Sequence, residues 1–197
     1  MEFFETVIKR RSIRHFTADP VREDDLLTML EAARLAPSSH NQQPWHFIVI
    51  RDRELIAKLK DTVSAALDAQ IEAADSEERK KALSGRRFNA IHVFDAPVVM
   101  VALTHPWPNP TPEDQPPFNQ GLQSVAAAIT HLHLAATALG YGGCWATLPL
   151  ELAQTEIEAI LGVEKPWFAV AVLSIGVPDK MPREIPRKSI EEIVTFK

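Results

Sequence analysis

Cysteine is nearly missing from this chain: Cys144 is the only one in 197 residues. A lone thiol cannot close an internal disulfide, so the fold must rest on its core, and a reducing, cytoplasmic compartment is expected. An excess of positive charge is missing as well. Lys and Arg number 21 against 26 Asp and Glu, a formal net charge of −5. That balance excludes a nucleic-acid binder working through a broad basic surface. There is no long unbroken apolar run either. The longest, Leu122 to Leu139, is interrupted by Gln123, Thr130, His131 and His133, so it reads as a buried helix and no membrane partner is expected. The opening Met1-Glu2-Phe3-Phe4-Glu5 begins with acids and lacks the pattern of a secretory signal.

Familiar catalytic signatures are absent too. No G-x-G-x-x-G follows a strand-like run, and no P-loop occurs. His131 and His133 stand two apart in a helical pattern, which turns them to different sides, and no paired-cysteine or H-E-x-x-H spacing exists, so no metal site is expected. No serine sits in a nucleophile elbow. Cys144, between Gly143 and Trp145, reads as a small buried residue. Without a nucleophile or an acid/base pair of the protein's own, a bound cofactor would have to carry any hard chemistry, and no catalytic side chain is expected.

What is present gathers in two stretches. Arg10-Arg11-Ser12-Ile13-Arg14-His15-Phe16 puts three arginines and a serine within five residues, and planar guanidinium forks match phosphate oxygens two at a time. Ala36-Pro37-Ser38-Ser39-His40-Asn41-Gln42-Gln43-Pro44-Trp45 holds hydroxyls and carboxamides between two prolines and runs into apolar Phe47–Ile50. Neutral hydrogen-bonding groups on a stiff loop suit a polar ligand with several acceptors. Taken singly, an arginine cluster also fits a solvated face, and an Asn/Ser/Pro stretch fits a plain loop.

A hydrophobic content of 46% and charged content of 24% are those of a globular chain, and residues 1–197 are expected to form a single domain. Phe3, Phe4, Val7 and Ile8 mark one face of an opening helix, and Leu26, Leu27, Leu30 and Ala33 a second that stops before Pro37. Trp45–Ile50 reads as a strand. Glu54 to about Leu83 reads as one helical stretch with a solvated, mobile segment over Asp75–Lys81. Pro97–Leu103 is apolar throughout, a strand buried on both faces. Six prolines between His105 and Pro117 predict an irregular loop. The long helix then ends at Gly140, and Gly142-Gly143 looks hostile to regular structure. A helix closed by Gly162 and a strand over Trp167–Ile175 follow. The tail from Met181 to Lys197 carries Ile190, Ile193 and Val194 and needs something to pack on. Helices outnumber strands, and the whole predicts an α+β fold in three layers, helices around a small central sheet.

These motifs, with Leu139-Gly140-Tyr141-Gly142-Gly143-Cys144-Trp145 and Pro186-Arg187-Lys188-Ser189-Ile190-Glu191-Glu192, resemble the nitroreductase family of FMN-dependent oxidoreductases, in the family's order along nearly the whole chain. The resemblance implies an α-β-α sandwich in a domain-exchanged homodimer, with FMN at the subunit interface. It assigns the FMN phosphate and ribityl chain to Arg10, Arg11, Ser12 and Arg14, with Arg187 as a second phosphate ligand. It assigns Pro37, Ser38, Ser39 and Asn41 to the loop a partner subunit lends to the flavin, Asn89 to the flavin's pyrimidine side, and Trp145, Ala146 and Thr147 to the strip along the ring. The implied activity is ping-pong hydride transfer from NADH or NADPH, through flavin N5, to an electron-poor small-molecule acceptor such as a nitroaromatic or quinone. The alternatives are another flavin reaction, dehydrogenation or dehalogenation among them, or a flavin store without turnover. Two departures from the family pattern are Ser124, where many members carry an acid, and His92, where some carry a lysine beside the flavin; a histidine there would still donate a hydrogen bond. Trp107 and Phe118, in the proline-rich loop, fit either a substrate wall or a core lid.

Overall fold

The computed structural model describes residues 2–106, 119–183 and 185–197. The first half of the chain forms α1 (Phe3–Lys9), α2 (Glu23–Arg34), β1 (His46–Ile50), α3 (Arg53–Glu72), α4 (Glu77–Ser84) and α5 (Arg87–Ile91). The second half forms β2 (Val98–Thr104), α6 (Gln120–Ala138), β3 (Gly142–Ala146), α7 (Leu148–Leu161) and β4 (Phe168–Gly176). The strands make one sheet in the order β1-β2-β4-β3, antiparallel at every pairing.

The apolar run in β2 dictates the layering. Every residue from Val98 to Thr104 is buried, and successive side chains point to opposite faces. Val98, Met100 and Ala102 pack with Met29 and Ala33 of α2 and Val125, Ile129 and Leu132 of α6. Val99, Val101 and Leu103 pack with Ile56, Leu59, Val63 and Leu67 of α3 and Ala153 and Ile157 of α7. Helices therefore cover both sides, the expected three layers. Ala102 pairs with Ala171 but Leu103 with Ala169, so Val170 is an extra residue that bulges β4.

Local chemistry sets the boundaries. Asp52 caps α3 by accepting from the backbone N–H groups of Glu54 (2.9 Å) and Leu55 (3.4 Å), and Asn119 caps α6 by accepting from Leu122 N–H (2.9 Å). Gly162 ends α7 in the left-handed conformation at φ +66°. Tyr141 Oη donates to Asp25 Oδ2 (2.7 Å), tying the entrance of β3 to α2.

Two expectations need correction. The helical stretch from Glu54 breaks after Glu72, because the Ser76 hydroxyl accepts from Arg79 N–H (3.3 Å) and starts α4 anew. Gly142-Gly143 begins a strand where irregular chain was expected. The glycines are there for close approach: a Cβ on Gly142 would strike the Ile13 side chain, and one on Gly143 the Ser174 carbonyl oxygen. The apolar face of α1 stays outside, with Phe3, Phe4, Val7 and Ile8 exposed.

Candidate functional site

After α1 the chain runs extended beside β3. Ser12 bridges to Gly143 in parallel fashion, and Ile13 N–H donates to Gly143 O (2.9 Å). Alternation along this segment divides the arginines. Arg10 and Ser12 line a cavity of about 390 Å³ together with Thr130, His133, Gly143 and Trp145. Arg11 and Ile13 line a different cavity, of about 250 Å³, with Lys9, Tyr141 and Pro178. Arg14 is half-buried; its Nη1 donates weakly to Ser12 O (3.5 Å) and its Nε is buried without a partner.

His133 forms the floor of the first cavity. Only 7% of the residue is exposed, and its Nε2 is buried with no hydrogen-bond partner. Burial, reinforced by the like charge of Arg10, pushes the imidazole down to about 4, so the ring is neutral at pH 7. The bare Gly143 makes room for it, since a Cβ there would lie 2.7 Å from His133 Cε1. Deeper still, His92 Nδ1 donates to Phe88 O (2.9 Å), which leaves Nε2 to accept from the Cys144 thiol at 3.4 Å. Burial first, then the charge of Arg14, holds His92 below its ordinary value. Burial likewise pushes the Cys144 thiol up, so it stays protonated and is no nucleophile. His92, at 3% exposure, has both ring nitrogens engaged inside the protein, and the expectation that it would donate to a ligand is corrected.

The Ser/Asn loop builds a separate cavity of about 490 Å³, lined by Pro37, Ser38 and Ser39 with Gln120, Gln123 and Ser124 of α6. Ser38 Oγ accepts from Gln43 N–H (2.9 Å), Ser39 N–H donates to Ser124 Oγ (3.3 Å), and Ser39 Oγ donates to Gln120 Oε1. Ser124 is thus an anchor for the loop, which gives a short hydroxyl a reason to stand there. His40, Asn41 and Gln43 all have positive φ, between 49° and 54°. Three such residues in one loop are strain that its ties to α6 must hold in place. Asn41 Oδ1 accepts from Gln43 Nε2 (3.2 Å).

Within one chain, therefore, Arg10, Ser12 and Trp145 share a cavity, while Arg11, the Ser/Asn loop and Arg187 do not reach it. Trp145 is 41% exposed at the rim; Ala146 is buried beside it, and Thr147 is exposed at the start of α7. Asn89 is exposed on α5, and Arg187 lies in a tail exposed from Met181 onward apart from half-buried Pro182 and the undescribed Glu184. Trp107 and Phe118 lie outside the described residues. Sequence reasoning missed His133, Thr130 and Gly143. The signal for His133 was available, because it falls among Ile129, Leu132 and Ala136 on the buried stripe of α6, where a polar residue calls for an explanation.

A cationic fork, a hydroxyl and a buried, unpartnered imidazole nitrogen around one cavity suit an anion joined to a polyol better than a metal ion. Among the described residues, no group of three or more His, Cys, Asp or Glu could hold a metal, and no helix is long and apolar enough to cross a membrane. Known proteins share the architecture. A BluB-like flavoprotein from Clostridium difficile 630 superposes with a TM-score of 0.88 at 33% identity, over 100% of this chain and 99% of its own. A 5,6-dimethylbenzimidazole synthase from Rhodospirillum rubrum is 31% identical over 179 residues, 86% of this chain and 78% of the relative. An iodotyrosine deiodinase from Thermotoga neapolitana is 25% identical over 184 residues, 92% of this chain and 91% of the relative. The model of the nitroreductase family matches residues 7–177, and the chain belongs to that family.

Proposed function

We propose that this protein is an FMN-dependent oxidoreductase that works as a homodimer, each chain a single domain over residues 1–197. The observation that carries this reading is the cavity of Arg10, Ser12, Gly143 and Trp145, where His133 Nε2 is buried without a partner. Buried polar atoms in native proteins are nearly always paired, and a ligand rich in acceptors would supply what is missing. FMN fits that donor set: a phosphate for Arg10, a ribityl chain for Ser12, and a ring for the aromatic and backbone strip of Trp145, Ala146 and Thr147. When bound, FMN supplies two-electron redox chemistry, taking hydride from NADH or NADPH and giving it to an electron-poor acceptor such as a nitroaromatic or quinone.

The chain's own residues hold and shield the cofactor. Arg10 neutralises phosphate charge with charge-assisted hydrogen bonds, and half-buried Arg14 supplies a second cation from the same segment. The Ser38/Ser39/Asn41 loop, held strained by Gln120 and Ser124, would close the cavity of the partner subunit, since it has no access to the cavity of its own chain. Dimerisation is also supported by apolar surface that this chain leaves uncovered: Phe3, Phe4, Ile8 and Leu35, and in the tail Ile190, Ile193 and Phe196 at 91% exposure. A tail wrapped over the partner would bring Arg187 within reach of a phosphate.

The test is the visible spectrum of the purified protein before and after anaerobic NADH or NADPH. Flavin bands that bleach, and recover with a nitroaromatic or quinone, are expected. A colourless protein that ignores added FMN would sink the reading. Likeness to the Rhodospirillum enzyme favours a second reading, in which this chain makes 5,6-dimethylbenzimidazole. Chromatography of the products after turnover separates the two: a reduced acceptor with intact FMN supports the first, and appearance of 5,6-dimethylbenzimidazole supports the second.

A further inference from the structure

We propose that His133 is a direct ligand of the cofactor's ribityl phosphate and takes up a proton from solvent as that phosphate enters, an inference that rests on the FMN reading above. Its ring lines the same cavity as Arg10 and Ser12, and its Nε2 is buried with no partner. A leucine at this place on the apolar stripe of α6 would fill the space without leaving a polar atom unpaired. The bare Gly143 gives the ring its room, for a Cβ would stand 2.9 Å from His133 Nδ1. Histidine and arginine together make a small polar recess where packing alone asks for neither.

The charge balance of the recess explains the proton. Arg10 is the charged group that faces the ring; the other walls, Ser12, Thr130, Gly143 and Trp145, carry none that ionises at working pH. Without an anion, burial and the guanidinium keep the imidazole neutral, with a value near 4. A dianionic phosphate held by Arg10 cancels that repulsion and adds negative charge beside the ring, so the imidazolium becomes the favoured form. The proton then sits on the ring nitrogen that donates to a phosphate oxygen. No covalent bond forms or breaks.

The linkage is read from FMN affinity at pH 6 and pH 8, measured by quenching of flavin fluorescence, for the full chain and for His133→Gln. Glutamine keeps a donor and an acceptor but cannot titrate, and the second ionisation of FMN's own phosphate cancels in the comparison. The wild type should weaken between pH 6 and pH 8 by at least about tenfold more than the variant, up to the roughly hundredfold that one extra proton bound throughout this range would give. Riboflavin, which lacks the phosphate, should show no such difference. Equal pH dependence of FMN binding in the two proteins would overturn the role of His133 and leave the flavin reading intact. Failure of both to bind FMN would overturn both. If the variant does not fold, ¹³C-histidine NMR of the wild type decides: an imidazole whose titration midpoint rises to about pH 7 or above with FMN supports the inference, and a midpoint that stays below about pH 7 refutes it.

Discussion

Replacing Gly143 by alanine should be far more damaging than its single methyl group would imply. The added Cβ would collide with the Ser174 carbonyl oxygen and stand 2.7 Å and 2.9 Å from two atoms of the His133 ring. The ring could rotate, but the carbonyl belongs to β4, which is paired with β3 along its length through Gly143↔Ile175 and Cys144↔Ser174. Relief therefore means spreading two strands around the fully buried Ser174. Overpacking of a well-filled interior costs about 1–3 kcal/mol, and an obstacle made of backbone puts this case at the upper end. For a chain of this length, about 3 kcal/mol corresponds to roughly 6–12 °C in melting temperature. Gly162→Ala is the matched control. That glycine also has a structural reason, φ +66°, but nothing lies within 4 Å of its would-be Cβ. Its penalty is conformational only, about 1 kcal/mol or roughly 2–4 °C. Thermal melts of both variants by circular dichroism at pH 7.5 would decide. A Gly143→Ala protein melting within about 2 °C of wild type would show that the close approach of β3 and His133 carries no weight in the fold.

Acid should weaken the cofactor-free protein through the same histidine. His133 is held at about 4 in the folded chain against 6.5 when unfolded, so between those values the unfolded state binds more protons. Stability present above pH 6.5 is lost as pH falls toward 4, by about 3 kcal/mol, and the depressed His92 adds loss of the same sign. Urea midpoints at pH 7 and pH 4.5 should separate more in the wild type than in His133→Gln; equal separation would contradict the assignment. The loop's action across the dimer can be tested by mixing. Arg10→Ala chains and Ser38→Ala/Ser39→Ala chains, each poor at binding FMN, should regain about a quarter of full FMN sites when co-refolded, because half the dimers are mixed and each has one intact site. Absence of recovery would mean that the loop serves the cavity of its own chain.

The sequence was most legible where one physical cause acts alone. The apolar run Val98–Leu103 predicted a strand covered on both faces, and the periodicity of Leu122–Leu139 predicted a buried helix, because burial by itself sets both patterns. Gly142-Gly143 was misread because the need for empty space comes from Ile13 and Ser174, residues far away in sequence. The arginine cluster was seen as a unit, yet extended backbone sends Arg10 and Arg11 to different cavities, a division that depends on Ser12 pairing with Gly143. His92 looked available to a ligand and is instead bonded to Phe88 and Cys144, contacts that no spacing rule announces. His133 was set aside with His131 as a failed metal pair, although the two do separate as predicted, His131 Nδ1 donating to Ala32 O (3.2 Å) on α2.

The Ser12–Gly143 bridge has a second consequence, for how the protein stays in solution. β3 lies at one margin of the sheet, and such a margin invites pairing with another chain unless something occupies it. Residues 12 and 13 occupy it, with Ile13 N–H already given to Gly143 O. The peptide that carries Arg10 and Ser12 to their cavity is therefore also the guard of an aggregation-prone border. Trimming the amino terminus to remove the arginines would yield sticky protein as well as empty protein, and loss of binding in such truncations would reflect both.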